Sequence, residues 1–176
     1  MRRLLFAFLL LLNACVAMDS FDFPNTDRTD FGLGQEYFNH ADYHSAKPLL
    51  EKAAAKGDPD AQYMVGLMYL FGLGCEKNLW NAQSYLQYAA TQGHLWAQET
   101  LGRLYQDRYT PLYNPIDAYY WFTVASQRNT GWYDTELNAL HANLAAKGLL
   151  SQVDSMPPVR NTYYKGVNYN SLFPYR

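Results

Sequence analysis

The sequence predicts an all-α protein, a solenoid of about three helix-turn-helix repeats followed by a capping helix and an extended aromatic tail. Three observations carry that reading. Residues 60–95 written above residues 96–131 match, at an offset of 36, at Ala61/Ala97, Gln62/Gln98, Gly66/Gly102, Tyr69/Tyr105, Asn78/Asn114, Ala82/Ala118 and Ala89/Ala125, and periods of this length mark two-helix units that stack. Within a copy, Ala61, Val65, Met68 and Tyr69 stand at i, i+4, i+7 and i+8, one stripe of a 3.6-residue period. Glycine, Asp-Pro and Asn-Pro then fall where such stripes should stop and start.

The first copy is the shortest. Gly34 and Tyr37 match Gly66 and Tyr69 at an offset of 32, whereas Ala46, Ala53, Ala54 and Gly57 match Ala82, Ala89, Ala90 and Gly93 at 36. Its two helices are therefore joined by four residues fewer. Between copies, Gly57 closes one helix, Asp58 caps the next, and Pro59 sits where its missing N–H does no harm. The second helix of the middle copy repeats the stripe with Ala82, Tyr85, Leu86 and Ala89, and Asn114-Pro115 opens the corresponding helix of the third. Gly66 and Gly102 each cost about 1 kcal/mol inside a helix relative to Ala. Close approach of helices compensates, with an aromatic ring from the neighbouring helix expected in each notch. Leu137, Leu140, Leu144 and Ala145 follow Asp134 as one more amphipathic helix, closed near Lys147-Gly148, which covers the apolar face of the last repeat. Residues 151–156 add a short turn before Pro157-Pro158. Residues 157–176 hold Tyr163, Tyr164, Tyr169, Phe173 and Tyr175 without helical period. They are expected to form an extended tail, a strap across the solenoid or part of its binding surface.

The run Ala61-Gln62-Tyr63-Met64-Val65-Gly66-Leu67-Met68-Tyr69-Leu70-Phe71-Gly72-Leu73-Gly74-Cys75-Glu76-Lys77-Asn78, followed by Ala82, Tyr85-Leu86 and Ala89-Ala90-Thr91-Gln92-Gly93, resembles a Sel1-like repeat. That family is related to the tetratricopeptide repeat, and the resemblance implies a right-handed α-solenoid. It extends through Ala97 to Ser126 and partly through Gly34 to Gly57. The third copy has Arg108 and Thr110 where the second has Gly72 and Gly74, so a different interhelix loop is expected there, stiffened by Pro111 and Pro115. A cysteine-rich branch of the family, associated with penicillin binding or β-lactam hydrolysis, stitches each repeat with a disulfide. With Cys75 alone in the repeats, that activity is not implied.

Residues 1–17 read as a secretory leader: a basic start at Arg2 and Arg3, an apolar run over residues 4–12, and small residues at Ala14, Cys15 and Ala17. The run is shorter than the roughly 20 residues a membrane-spanning helix needs. Cleavage after Ala17 would release a soluble exported protein. Cleavage after Ala14 would leave Cys15 as a lipidated N-terminus, because Leu12-Asn13-Ala14-Cys15 resembles a lipoprotein box. Residues 18–30, with Asp19, Asp22, Asp27 and Asp30, then read as a solvated polar tether, and residues 31–156 as the repeat domain. The expected location is the periplasm, or the cell envelope by way of a lipid at Cys15.

Chemistry-bearing constellations are sparse. A net charge of −2, near −4 without the leader, lacks the basic face of a nucleic-acid binder. High apolar content and low charge argue against intrinsic disorder. His40 and His44 share a metal-ligand spacing but fall at a turn with no third ligand nearby, so no metal and no cofactor are expected. Cys75 reads as a small apolar residue under a loop rather than a nucleophile. No nucleophile, base and orienting acid come together in sequence, so no catalytic residue is assigned.

What remains is surface. In solenoids the first helix of each pair lines the concave face, and residues off the packing stripe are free to recognise ligands. Here those are Gln35 and Glu36, then Met64, Leu67 and Met68, then Thr100, Arg103 and Gln106. The three apolar ones either form an adaptable groove or pack on the adjacent repeat. The resemblance implies a protein that binds another protein, as an adaptor or as an immunity protein capturing a toxin. An envelope hydrolase acting on peptidoglycan or β-lactams is the alternative.

Overall fold

The computed structural model of this chain describes residues 29–128 and 131–156. The leader, Cys15, the tether up to residue 28 and the tail of residues 157–176 lie outside them. The described residues form eight helices: α1 (Asp30–Asn39), α2 (Tyr43–Ala55), α3 (Pro59–Phe71), α4 (Leu79–Thr91), α5 (Leu95–Gln106), α6 (Pro115–Ser126), α7 (Asp134–Ala146) and the short α8 (Leu150–Asp154). Each packs on its neighbours in the chain, and α8 also returns to α6. This is the all-α solenoid of stacked hairpins that the 36-residue period predicts.

The loops follow the offsets. Residues 40–42 join α1 to α2, whereas residues 72–78 join α3 to α4, a difference of four residues. The third connection is rebuilt, as the loss of its glycines requires. Where Gly72 ends α3 in the left-handed conformation, Asp107 ends α5 with extended ψ, and its carboxylate accepts from the Tyr109 N–H at 2.9 Å.

The residues shared between copies are the ones that fasten the repeats. Asn78 and Asn114 cap α4 and α6, each side chain accepting two backbone N–H groups, and their own N–H groups donate to the carbonyls of Tyr69 and Tyr105 at 2.9 Å. Gln62 and Gln98 reach back one repeat, donating to the carbonyls of Ala54 and Ala90 at 3.2 and 3.1 Å. The two carbonyls already accept the Gly57 and Gly93 N–H groups, so each amide is a second donor at the end of the preceding helix and joins two repeats.

The helix glycines hold the hairpins together, although not in the way aromatic filling predicts. A Cβ at Gly34 would meet Leu50 at 2.9 Å, one at Gly66 would meet Leu86 at 2.8 Å, and one at Gly102 would meet Phe122 at 2.9 Å. The filling residue is leucine in the first two copies and aromatic in the third alone. Tyr85 instead stacks on Tyr69, with ring centroids 5.8 Å apart.

Asp30 belongs to the domain rather than to a solvated tether. Thr29 caps α1, and Asp30 opens it while bonding to Lys52 on α2 and to Lys56 at its C-cap. The hydrogen bonds from Lys56 and then Lys52 hold its carboxyl below the usual range.

Gly74 makes the tightest loop contact. It adopts φ +64°, and an added Cβ would lie 2.7 Å from the Tyr43 backbone carbonyl carbon. A side chain there is strained in conformation and collides with atoms that cannot rotate away. Gly74→Ala is expected to destabilise the domain by about 2 kcal/mol, whereas Gly57→Ala, with nothing within 4 Å of its added Cβ, carries only the conformational part. Urea unfolding of the two variants checks this ordering.

Candidate protein-binding surface

The eight side chains nominated from sequence fall into two environments. Met64, Leu67 and Met68 lie in α3, and their side chains are fully buried. Met64 and Met68 pack with the first repeat, and Leu67 with the cluster that runs into the third. They do not line an open groove. Every residue from Pro59 to Met68 is buried, because α3 lies between α2 and α4 and carries apolar or small residues around most of its circumference. The packing alternative is the one the structure realises for these three.

The other five lie nearer the surface. Gln35 and Glu36 on α1, and Thr100 and Gln106 on α5, are half-buried, and Arg103 is exposed. Gln35, Leu67 and Arg103 occupy one register of the three first helices, so the row is open at its ends and closed at its centre.

Arg103 is held in place. Its Nε and Nη2 donate to Glu99 Oε1 at 3.1 and 3.0 Å, and Nη1 lies 3.9 Å from Glu136 on α7. The buried Glu99 also accepts from the Tyr133 hydroxyl at 3.1 Å through its other oxygen. Two oxygens of one carboxylate thus orient a guanidinium on one side and anchor the start of α7 on the other. A cation presented with its rotamer fixed loses less freedom on binding an anion or a carbonyl row.

Several large aromatics are exposed without being nominated from sequence. Trp80 and Tyr88 on α4, Phe71 at the end of α3, and Trp132 before α7 each show more than half of their surface. Trp80, Ser84 and Tyr88 stand at i, i+4 and i+8, off the Ala82/Leu86/Ala89 stripe. That offset is legible in sequence as an aromatic row on the wrong face for the core. Aromatic and arginine side chains dominate the energetics of protein interfaces.

Groups considered for chemistry lie elsewhere. His40 ends α1 and His44 stands in the first turn of α2, both exposed. No group of three His, Cys, Asp or Glu that could hold a metal occurs among the described residues. Cys75 is half-buried in the α3–α4 loop, with its Sγ 3.6 Å from the Met68 carbonyl, and burial pushes its thiol pKa up. The neutral thiol is the favoured form, so the nucleophilic thiolate is scarce at neutral pH. In a Cys15→Ser chain, Cys75 should react with an aromatic disulfide at pH 8 about tenfold more slowly than the urea-unfolded chain, and accelerate only as pH rises past the ordinary thiol range. Equal rates would remove the shielding.

A family model described as the Sel1 repeat matches residues 31–58, 59–94 and 97–129. Among curated proteins, an uncharacterised protein of Neisseria meningitidis serogroup B is 32% identical over 112 residues, covering 64% of this chain and 22% of that protein. Among solved structures, a protective antigen of uropathogenic Escherichia coli with an SLR fold aligns with a TM-score of 0.60 and 31% identity, over 71% of this chain and 27% of that one. A Sel1 repeat protein from Oxalobacter formigenes aligns with a TM-score of 0.55 and 29% identity, over 66% and 46% of the two chains. The chain therefore spans about a fifth of the curated relative and less than half of either solved neighbour.

Proposed function

Since this chain belongs to the Sel1 repeat family, whose repeats generally mediate contacts between proteins, we propose that it is an exported scaffold that binds another protein in the bacterial cell envelope. Within that reading it serves as an adaptor or as an immunity protein that captures a toxin. The observation that supports it is the pre-oriented Arg103 on α5, flanked by half-buried Thr100 and Gln106, on a solenoid that also exposes Phe71, Trp80 and Tyr88. Binding is expected to need no cofactor and no nucleic acid. Membrane attachment, where it occurs, runs through a lipid on Cys15.

Affinity capture from the native envelope tests the surface. The Arg103→Glu/Phe71→Ser variant should lose the partner that the parent chain retains while keeping its helical signal. Equal recovery by both chains would remove this surface from the proposal. Intact mass of the exported protein tests the anchor, and an unacylated start at Met18 excludes lipidation. Hydrolysis of peptidoglycan or a β-lactam by the purified chain, lost in Cys75→Ala or His40→Ala, would replace the scaffold reading with an enzymatic one.

A further inference from the structure

Helix α4 carries no Asp, Glu, Lys or Arg from Leu79 to Thr91, yet one whole face of it is open. Trp80 and Tyr88 are 58% and 62% exposed, and Asn81 and Ser84 beside them are exposed as well. The other second helices treat this register differently. On α2 it holds His44, Pro48 and Lys52, exposed but without a large apolar side chain. On α6 it holds Ile116, Tyr120 and Val124, which are half-buried or buried, and α8 returns to pack on that helix. Among the three, α4 is the one whose outer row is both aromatic and open.

Read in either direction from Ser84, that face presents the same chemistry. The amides Asn81 and Gln87 stand three residues to either side of it, and the aromatics Trp80 and Tyr88 stand four. An antiparallel copy of the helix therefore sets Trp80 against the partner's Tyr88 and Asn81 against the partner's Gln87, with Ser84 on the two-fold axis. This is the self-complementary pairing of an isologous contact. The small Ser84 side chain lets the two backbones approach, and its hydroxyl already donates to the Trp80 carbonyl at 3.0 Å, so covering it strands no donor. Residues 29–156 carry 13 carboxylates against eight Lys and Arg, so two copies repel each other overall. The charge-free face of α4 is where they meet without setting like charges together. At about 150–250 Å² for a covered aromatic side chain, the open parts of Trp80 and Tyr88 supply about 250 Å² per copy and about 500 Å² across the pair. That is the apolar core of a contact smaller than the standard size of about 1,600 Å², with Asn81, Gln87 and Thr91 as its polar rim, and such contacts are weak and reversible.

We infer that this chain pairs with a second copy of itself as an antiparallel two-fold dimer through the outer face of α4, with Trp80 and Tyr88 packed on their counterparts about Ser84. The dimer does not depend on the scaffold reading. Combined with it, the pairing gives one assembly two copies of the Arg103 surface, which stands on α5 outside this row, and so makes the scaffold bivalent.

Sedimentation equilibrium of the purified exported protein, expressed with Cys15→Ser and kept reduced so that neither lipid nor disulfide contributes, tests the pairing. A monomer–dimer equilibrium with a Kd of about 10 to 100 μM is expected for a contact of this size. Trp80→Ser/Tyr88→Ser should weaken it by about tenfold or more with the helical signal unchanged, because both side chains are already open in the single chain. Ser84→Lys and Ser84→Glu, each placing two like charges together on the axis, should weaken it by a similar factor. An equimolar mixture of the Ser84→Lys and Ser84→Glu chains should recover the dimer, since the axis then holds one charge of each sign. A parent chain that stays monomeric up to about 300 μM, or a dimer as tight in Trp80→Ser/Tyr88→Ser as in the parent, would overturn the proposal. So would a Ser84→Lys/Ser84→Glu mixture that remains monomeric, because it denies the two-fold axis at Ser84. None of these readouts involves another protein, so a monomeric result leaves the scaffold reading to the capture experiment.

Discussion

Asp60→Ala is expected to lower stability by about 3 kcal/mol, the upper range for removing the charged acceptor of a buried hydrogen bond. Asp60 and His94 are 1% and 3% exposed, and His94 Nε2 lies 3.2 Å from Asp60 Oδ1. His94 is also the N-cap of α5, accepting the Ala97 N–H on Nδ1 at 3.1 Å, and its ring stacks on Tyr63 at 4.6 Å between centroids. A nitrogen that accepts a backbone N–H carries no proton, so the imidazole is the tautomer that donates from Nε2 toward the carboxylate. One side chain thereby joins the start of α3 to the start of α5 across the repeat boundary. His94→Ala should cost as much as Asp60→Ala, since it removes the cap as well. The double variant should cost clearly less than the sum, because the two changes break one shared interaction. Urea unfolding at pH 7 measures all three, and strictly additive losses would mean that the pair is not coupled.

His94 also marks where the sequence could be read and where it could not. It stands 36 residues after Asp58, which caps α3 by accepting the Asp60 and Ala61 N–H groups. The repeat register thus contained the signal that His94 is a cap. Asp and His share no side-chain similarity, so matching identical residues passes over it. Asn78/Asn114 and Gln62/Gln98 were legible as identities, because a cap and a backward amide bond tolerate few other side chains at that geometry. The leucines in the glycine notches were not legible, since a notch constrains volume and either an isobutyl group or a ring edge can fill it. The surface was the hardest part. Periodicity separates a buried stripe from an open face only when the helix has polar residues to expose, and residues 59–71 of α3 include a single charged side chain, Asp60. Read by composition rather than by stripe, α3 is a helix apolar on nearly every side and therefore internal. Leu67 and the two methionines belonged to the core for that reason. Arg103 remained at the surface because α5 carries charge at Glu99 and Arg103, which its neighbours neutralise without enclosing the guanidinium.

Gly66→Ala is the second large effect, and its sign distinguishes packing from helix propensity. In an exposed helix interior the change would stabilise by about 1 kcal/mol. Here the new methyl would lie 2.8 Å from Leu86 Cγ, 3.0 Å from its Cδ2 and 3.3 Å from its backbone nitrogen. Leu86 is fully buried and has little room to swing aside, and the backbone contact cannot be relieved by any rotamer. The helices must separate, which opens the interface between α3 and α4 along its length. A net loss of about 2 kcal/mol or more is expected. Gly102→Ala should cost less, since the closest atoms to its added Cβ belong to the Phe122 ring, which can tilt. Leu86→Ala alone should cost about 3 kcal/mol by leaving a cavity. Combined with Gly66→Ala, it removes the atoms the new methyl strikes, so the double variant should be more stable than the sum of the single losses predicts. Denaturant unfolding of the four chains decides the matter. A stabilised Gly66→Ala chain would mean that the helices are not in contact at this position.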